Sequence, residues 1–256
     1  MTTWSAAQYV KFEDERSRPA AELLARVPLD QARRVVDLGC GPGNSTELLV
    51  ARFPSAEIIG LDSSPEMLAA ARKRLPACTF VEADVAAWTP RPATDLLFSN
   101  AVFHWVPDHH AVLARLLAAL APGGVLALQV PDNLGEPTEM IVHEMAETGP
   151  WKEKFVEPIQ REPISAPADY YDLLRPLAAR VDIWATAYSH ILSSPAAILE
   201  WVKGTGLRPY LARLDADEER AWLAEYESRL AEAYPPRVDG RVLFRFPRLF
   251  MVAVRA

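Results

Sequence analysis

The sequence is short of cysteine, of net positive charge and of long hydrophobic runs, and each shortage excludes something. It has two cysteines, Cys40 and Cys78, in 256 residues. They have no metal-ligand spacing and cannot build a disulfide framework, so each reads as a small buried residue and no metal site is expected. The formal net charge of −7 argues against a general nucleic-acid binder, while leaving room for a local basic pocket. The most apolar stretch, residues 113–130, is broken by Arg115, Pro122 and two glycines, so no membrane span is expected. The polar, charged N-terminus carries no visible secretory signal. There is no internal repeat and no low-complexity linker. A cytoplasmic enzyme or binding protein of one large α/β domain is the base expectation, with its oligomeric state not legible.

What is present centres on residues 35–45, Val-Val-Asp-Leu-Gly-Cys-Gly-Pro-Gly-Asn-Ser. A β-branched apolar run predicts a buried strand, and three glycines at alternate positions then break it. Residues 45–52 read as a helix with Asn44 or Ser45 placed to cap it. Strand, glycine turn and helix N-terminus together make a place where backbone approaches a ligand closely and unpaired N–H groups point outward.

Upstream, Trp4, Tyr9 and Phe12 precede the charged run Glu13-Asp14-Glu15-Arg16-Ser17-Arg18. Apolar Ala20, Leu23, Leu24 and Val27 then recur at helical spacing, with Pro19 suited to the first turn. The aromatics pack on a sheet edge or form a lid over the glycine site. Downstream, residues 58–61 form a short strand ending at Asp62, about 20 residues past the glycines, where a ribose-binding acid is expected. A turn or capping aspartate is the alternative. Ser63-Ser64-Pro65-Glu66 starts a helix with a serine cap, a proline in the first turn and an acid near the positive end.

Residues 79–84 read as a third strand closing on Asp84, and residues 95–100 as a fourth with Ser99 and Asn100 at its mouth. His104 and Trp105 follow in a loop, and Asp108 caps the next helix. Pro122-Gly123-Gly124 stops that helix, and residues 125–130 make a fifth strand. Apolar strands alternating with helices predict a parallel sheet covered on both faces, with ligands outside its carboxyl ends. Gly39, Asp62, Asp84 and Asn100 all fall at those ends. Residues 131–180 are proline-rich, with helical pieces near 138–147 and 168–179. Residues 181–192 look like a strand, 195–202 and 215–234 like helices, and 247–254 like a closing strand. A cofactor-binding half (1–130), a substrate-side strand with helical cap insertions (131–246) and a closing strand (247–256) are expected within a single domain.

A dinucleotide fingerprint would read Gly-x-Gly-x-x-Gly, whereas this chain has Gly-x-Gly-x-Gly. That spacing, with Glu82-Ala83-Asp84 and Pro122-Gly123-Gly124, resembles the class I S-adenosylmethionine-dependent methyltransferases. A narrower resemblance spans the whole chain. It rests on Trp4, Tyr9, Glu15 to Pro19, Asp37 to Ser45, Asp62 to Pro65, Phe80 to Asp84, Val130 to Asn133, Thr205 to Pro209 and Phe246 to Phe250. Those segments are similar to the trans-aconitate methyltransferase family, and the last three lie outside the cofactor half.

The resemblance implies a Rossmann-like α/β fold: a mostly parallel seven-stranded sheet with an antiparallel last strand and a helical cap. It implies S-adenosyl-L-methionine as cofactor and methyl transfer to one carboxylate of a tricarboxylate acceptor. Gly39, Gly41 and Gly43 would pass under the methionyl part, with Asp37, Asn44 and Tyr9 nearby. Asp62 would take the ribose hydroxyls, Asp84 the adenine amino group, with Ser63 and Val85 beside the ring. Asn100 would face the amino-acid end. Arg18 would pair with the cofactor carboxylate, or with Glu13, Asp14 or Glu22 on the surface.

An acidic protein needs local positive charge for such an acceptor, and arginine suits carboxylates because its planar fork pairs with both oxygens. Arg208 and Arg248 are the candidates, with Arg245 behind them, and His104, Trp105, Tyr188 and Trp201 as pocket walls or core packing. No general base is expected, because the acceptor is already ionised at neutral pH. The alternatives are transfer to another small acid or an acyl-carrier thioester, a binding module without turnover and, least favoured by the glycine spacing, a nicotinamide oxidoreductase.

Overall fold

The computed structural model describes residues 13–157, 159 and 163–256, and Trp4, Tyr9 and Phe12 lie outside them. The chain divides into two compact units. A sheet unit comprises the described residues within Thr3–Pro131, Ile164–Thr186 and Arg248–Ala256, and a helical unit those within Asp132–Pro163 and Ala187–Pro247.

Seven strands make one sheet: β1 (Arg34–Leu38), β2 (Glu57–Asp62), β3 (Thr79–Glu82), β4 (Leu96–Asn100), β5 (Val125–Pro131), β6 (Ala178–Leu192) and β7 (Val242–Arg255). Their order is β3-β2-β1-β4-β5-β7-β6. The first five pair in parallel, and β7 runs antiparallel to β5. β1 lies near the centre, with Val35, Val36 and Leu38 fully or almost fully buried. Strands covered on both faces have no use for alternation, which is why the central ones appear in the sequence as mainly apolar runs without a polar-apolar period. Helices α1 (Glu13–Ala25), α2 (Asn44–Arg52), α3 (Pro65–Arg74), α4 (His109–Ala118) and α6 (Pro167–Leu174) belong to this unit. The inward stripe of α4, Val112, Leu113, Leu116 and Leu117, packs in the same core cluster as Val36, Leu97 and Leu126.

The helical unit contains α5 (Pro137–Thr148), α7 (Pro195–Lys203), the short α8 (Arg208–Leu211) and α9 (Ala216–Ala233). The start of α9 is fixed by a capping box. Asp215 accepts from the N–H groups of Asp217 and Glu218, and the Glu218 carboxylate accepts from the Asp215 N–H. Trp222 stacks on Tyr226 at 5.4 Å, and the buried Tyr226 hydroxyl donates to the Thr138 carbonyl, tying α9 to α5.

Several boundaries differ from the sequence expectation. Helix α1 begins upstream of Pro19, which sits inside it rather than in its first turn. The helix-forming residues of the charged run carry the helix past the one ladder bond that proline removes. The N-cap of α2 is Gly43 in the left-handed region (φ 95°), not Asn44 or Ser45. Asp108 occupies the cap position of α4, but its side chain makes no capping bond. β3 ends at Glu82, leaving Asp84 in the following turn, and the helix expected over 168–179 gives way after Leu174 to a 3-10 turn and then β6. β7 starts at Val242, with Pro247 inside it.

Gly60 on β2 illustrates how tightly the sheet is covered. A Cβ there would lie 2.6 Å from two Phe80 ring carbons and 2.9 Å from the Cys40 sulfur. Overpacking of this kind typically costs about 1–3 kcal/mol. Gly60→Ala is expected to lower the unfolding free energy by that amount, read as a lower urea midpoint with an unchanged m-value; a wild-type midpoint would show that the Phe80 ring moves aside freely.

Candidate functional site

The loop between β1 and α2 carries three left-handed glycines, Gly39 (φ 70°), Gly41 (φ 54°) and Gly43. Gly39 is required by contact as well as by backbone: a Cβ there would sit 2.3 Å from Val102 Cγ2. Among the described residues, a Cβ at Gly41 would meet no atom within 4 Å. The Cys40 N–H donates to the Leu61 carbonyl (2.8 Å), holding the loop against β2. Burial pushes the Cys40 thiol up, which keeps it out of thiolate chemistry.

Two carboxylates shape this loop. Asp37, on β1 and wholly buried, accepts from the hydroxyls of Ser45 and Thr46, both 2.7 Å from its Oδ2. Among the described residues its Oδ1 has no hydrogen-bond partner, nor has either polar side-chain atom of the buried Asn44. Desolvation pushes the Asp37 carboxyl up to about 6, against the two hydroxyl bonds and with help from the nearby Asp62 charge. Asp62, at the end of β2, accepts from the N–H groups of Gly41 (2.9 Å) and Ser64 (2.8 Å). Burial raises its pKa, opposed by the N–H donors of Ser64, Gly41 and Ser63.

Beyond β3, Asp84 is exposed and caps its own turn by accepting from the Ala86 N–H (2.8 Å), while Val85 is buried. Arg115 of α4 reaches across to the same turn, donating to the carbonyls of Ala86 (2.7 Å) and Trp88. At the mouth of β4 the Asn100 amide oxygen accepts from Gln129 of β5, whose own oxygen accepts from Arg248 Nη1 at 3.1 Å. Ser63 is exposed. Phe103–Trp105 forms a 3-10 turn, with Phe103 buried and Trp105 40 % exposed. Arg18 lies on the surface of α1 and pairs with Glu22 at 2.9 Å.

Gly39, Gly41, Gly43, Asp37, Asn44, Asp62, Asp84, Val85, Asn100 and Arg248 thus all belong to the sheet unit. Tyr9 lies outside the described residues. In the helical unit, Tyr188 and Trp201 are each 2 % exposed and pack with His190, Phe244 and Phe246 in an aromatic cluster. Arg208 is half-buried at the start of α8, and Arg245 pairs with Glu136. Sequence reasoning missed Ser45 and Thr46 as the hydroxyls that hold Asp37, and Gln129 behind Asn100. The available signals were a Ser-Thr pair just past the glycines and a lone amide in an apolar strand.

This arrangement suits a ligand that is cationic near β1 and carries hydroxyls near β2. A buried polar atom without a partner costs about 1–3 kcal/mol, so Asp37 Oδ1 and the Asn44 amide need polar company. Among the described residues no group of three or more His, Cys, Asp or Glu side chains is placed to hold a metal ion. None of their helices is long and apolar enough to cross a membrane.

Fold and loop together define a methyltransferase-type domain, and a family model described as a methyltransferase domain matches residues 35–124. A solved S-adenosylmethionine-dependent methyltransferase from Thiobacillus denitrificans, in complex with S-adenosylhomocysteine, has the same fold. It covers 94% of this chain and 91% of its own, with a TM-score of 0.54 and 18% identity. More closely related chains narrow the class. The trans-aconitate 2-methyltransferase of Rhodopseudomonas palustris (strain BisB18) is 55% identical over 100% of both chains. That of Rhizobium leguminosarum bv. trifolii (strain WSM2304) is 57% identical over 98% of this chain and 99% of its own. The chain belongs to the trans-aconitate 2-methyltransferase family.

The raised pKa of Asp37 sets a pH dependence with a definite sign. Between its ordinary value of 3.8 and about 6 the folded state holds a proton that the unfolded state has released. Stability contributed by this group is therefore full below pH 4 and falls as pH rises through 6. A shift of this size corresponds to about 3 kcal/mol at most. Relative to Asp37→Asn, the wild type is expected to lose up to that amount between pH 4 and 7 in urea titrations; parallel stability curves would refute the assignment.

Proposed function

We propose that the chain transfers a methyl group from S-adenosyl-L-methionine to one carboxylate of trans-aconitate, giving a monomethyl ester and S-adenosylhomocysteine. One observation carries the reading: relatives of that name match at more than half identity along the whole length, glycine loop and helical unit alike. That the polar atoms of Asp37 and Asn44 lack partners among the described residues, and that a Cβ at Gly41 would meet none of them within 4 Å, supports it from the structure.

The cofactor supplies a methyl group activated by a positive sulfonium. Asp37, Asn44 and the glycine loop would hold its amino-acid part, with Asn100 beside it. Asp62 would take the ribose hydroxyls with lone pairs left over from Gly41 and Ser64, and Asp84, Ser63 and Val85 would border the base. Arg18 and Tyr9 are further candidates for the same ligand. The setting this reading assumes is cytoplasmic, with a small anionic acceptor and without nucleic acid or membrane as partner; the negative net charge supports it.

The acceptor needs little chemical help. A carboxylate with an ordinary pKa near 4 is ionised at pH 7, so no residue has to remove a proton. The protein's share is alignment of the reacting atoms to about 3–3.5 Å and exclusion of water. Charge neutralises as the ester forms, so an arginine gripping the reacting oxygen would favour the ground state over the transition state. Arg208 and Arg248 are therefore assigned to the carboxylates that do not react. His104, Trp105, Tyr188 and Trp201 contribute shape.

Incubation with S-adenosylmethionine and trans-aconitate, with cis-aconitate and citrate as comparison acceptors, tests the reading; absence of S-adenosylhomocysteine and methyl ester would defeat it. Arg208→Met and Arg248→Met, examined singly, are each expected to raise the KM for trans-aconitate about tenfold or more, the scale of a charge-assisted hydrogen bond. An unchanged KM in both would remove the arginines from substrate recognition. A second expectation concerns protons: kcat is flat from pH 6 to 9 and is so in His104→Gln and His190→Gln. A loss of rate below neutrality that vanishes in either variant would identify a histidine base.

A further inference from the structure

Strand β5 reads Val-Leu-Ala-Leu-Gln-Val-Pro, is buried along its whole length, and carries one polar side chain, Gln129, with no exposed surface. A buried amide is costly unless both its ends are bonded, and an aliphatic residue would fill the same space without that condition. Both ends are bonded here. Gln129 donates to the Asn100 amide oxygen and accepts from Arg248 Nη1. The register explains why the three meet. Asn100 on β4 lies opposite Gln129, which lies opposite Phe250 on β7, and Arg248 is two residues from Phe250 on the same sheet face. The Gln129 carbonyl also accepts from the N–H of Ala101 (3.0 Å), a non-glycine residue held at φ 61° just past the strand mouth.

The chemistry of arginine gives this chain a direction. A guanidinium has donors only, so the Gln129 oxygen must face Arg248 and its NH₂ must face Asn100. Asn100 must then offer its oxygen to Gln129, which turns its own NH₂ the other way. We propose that Gln129 is a positioning residue for the cofactor site: polarised by Arg248, it fixes the Asn100 side chain as a hydrogen-bond donor and pins the backbone at Ala101. A donor at this place selects an acceptor oxygen on the ligand, such as the carboxylate of its amino-acid part. The inference rests on the reading of this site as one for S-adenosylmethionine.

The test is a double-mutant cycle read by calorimetry with S-adenosylhomocysteine on the full chain, with circular dichroism to verify folding. Gln129→Met is expected to weaken binding about tenfold. In an Asn100→Ala background the same substitution should change affinity less than twofold, because the group it positions is gone. A merely structural role would weaken both backgrounds alike, and that result overturns the proposal, as does wild-type affinity in Gln129→Met. Should Gln129→Met fail to fold, Gln129→Glu keeps length and an acceptor for Arg248 while losing the donor to Asn100. It is expected to show the same loss and the same dependence on Asn100; wild-type affinity in it overturns the proposal equally. A wild-type chain that binds no S-adenosylhomocysteine would overturn the reading of the site itself, whereas binding by the wild type with unaltered variants would overturn only the role of Gln129.

Discussion

The carboxylate of Asp62 is the constraint on which the candidate site depends. One oxygen holds the Gly41 N–H of the β1–α2 loop and the other the Ser64 N–H at the start of α3. The loop after β1 and the start of α3 are thereby locked to one strand end. Burial works against the charge, and the N–H donors of Ser64, Gly41 and Ser63 offset it. Asp37 stands in a similar conflict close by, with hydroxyl donors in place of backbone ones and its pKa pushed up to about 6. The site thus keeps two desolvated carboxylates beside the glycine loop. That arrangement is poor for stability and good for attracting a cationic, hydroxyl-bearing ligand, the usual trade at functional sites.

The fold was legible because both-face burial writes itself into the sequence. The runs at 96–98 and 125–128 are apolar without alternation, as is 35–38 but for Asp37, and a parallel sheet is the structure that needs such strands. The Ser64-Pro65 start of α3 was readable for a local reason: the cap hydroxyl accepts from Met67 N–H three residues on, and proline fits the first turn. Where the reading failed, the deciding term was not local. Gly43 caps α2 because the Ser45 hydroxyl is taken by Asp37, eight residues back, and Gly43 already supplies the left-handed turn. Pro19 looked like a helix start because its missing N–H suits that place, yet the residues before it continue the helix.

The candidate site was legible to the extent that strand ends are. Gly39, Asp62 and Asn100 close β1, β2 and β4, and in a parallel sheet those ends share one edge. Side chains that act through other side chains left weaker marks. Thr46 and Gln129 are ordinary residues in a sequence, and their roles follow only from a partner 9 and 29 residues away. Tyr188 and Trp201 carried two readings in the sequence, pocket wall or core packing. Aromatic residues suggest pocket walls, but two side chains at 2 % exposure within an aromatic cluster are first of all core.

Arginine placement carries the last step. An acidic chain that handles an anion must keep some cations from being cancelled by its own carboxylates. Arg18 and Arg245 are each matched to a glutamate, Glu22 and Glu136, and both are more than half exposed, so their fields are screened and locally neutralised. Arg248 is only 4 % exposed, and one of its donors is satisfied by the neutral amide of Gln129. The amide oxygen accepts that bond without carrying a charge of its own, so this contact orients the guanidinium without neutralising it, whereas the glutamates that meet Arg18 and Arg245 both orient and neutralise.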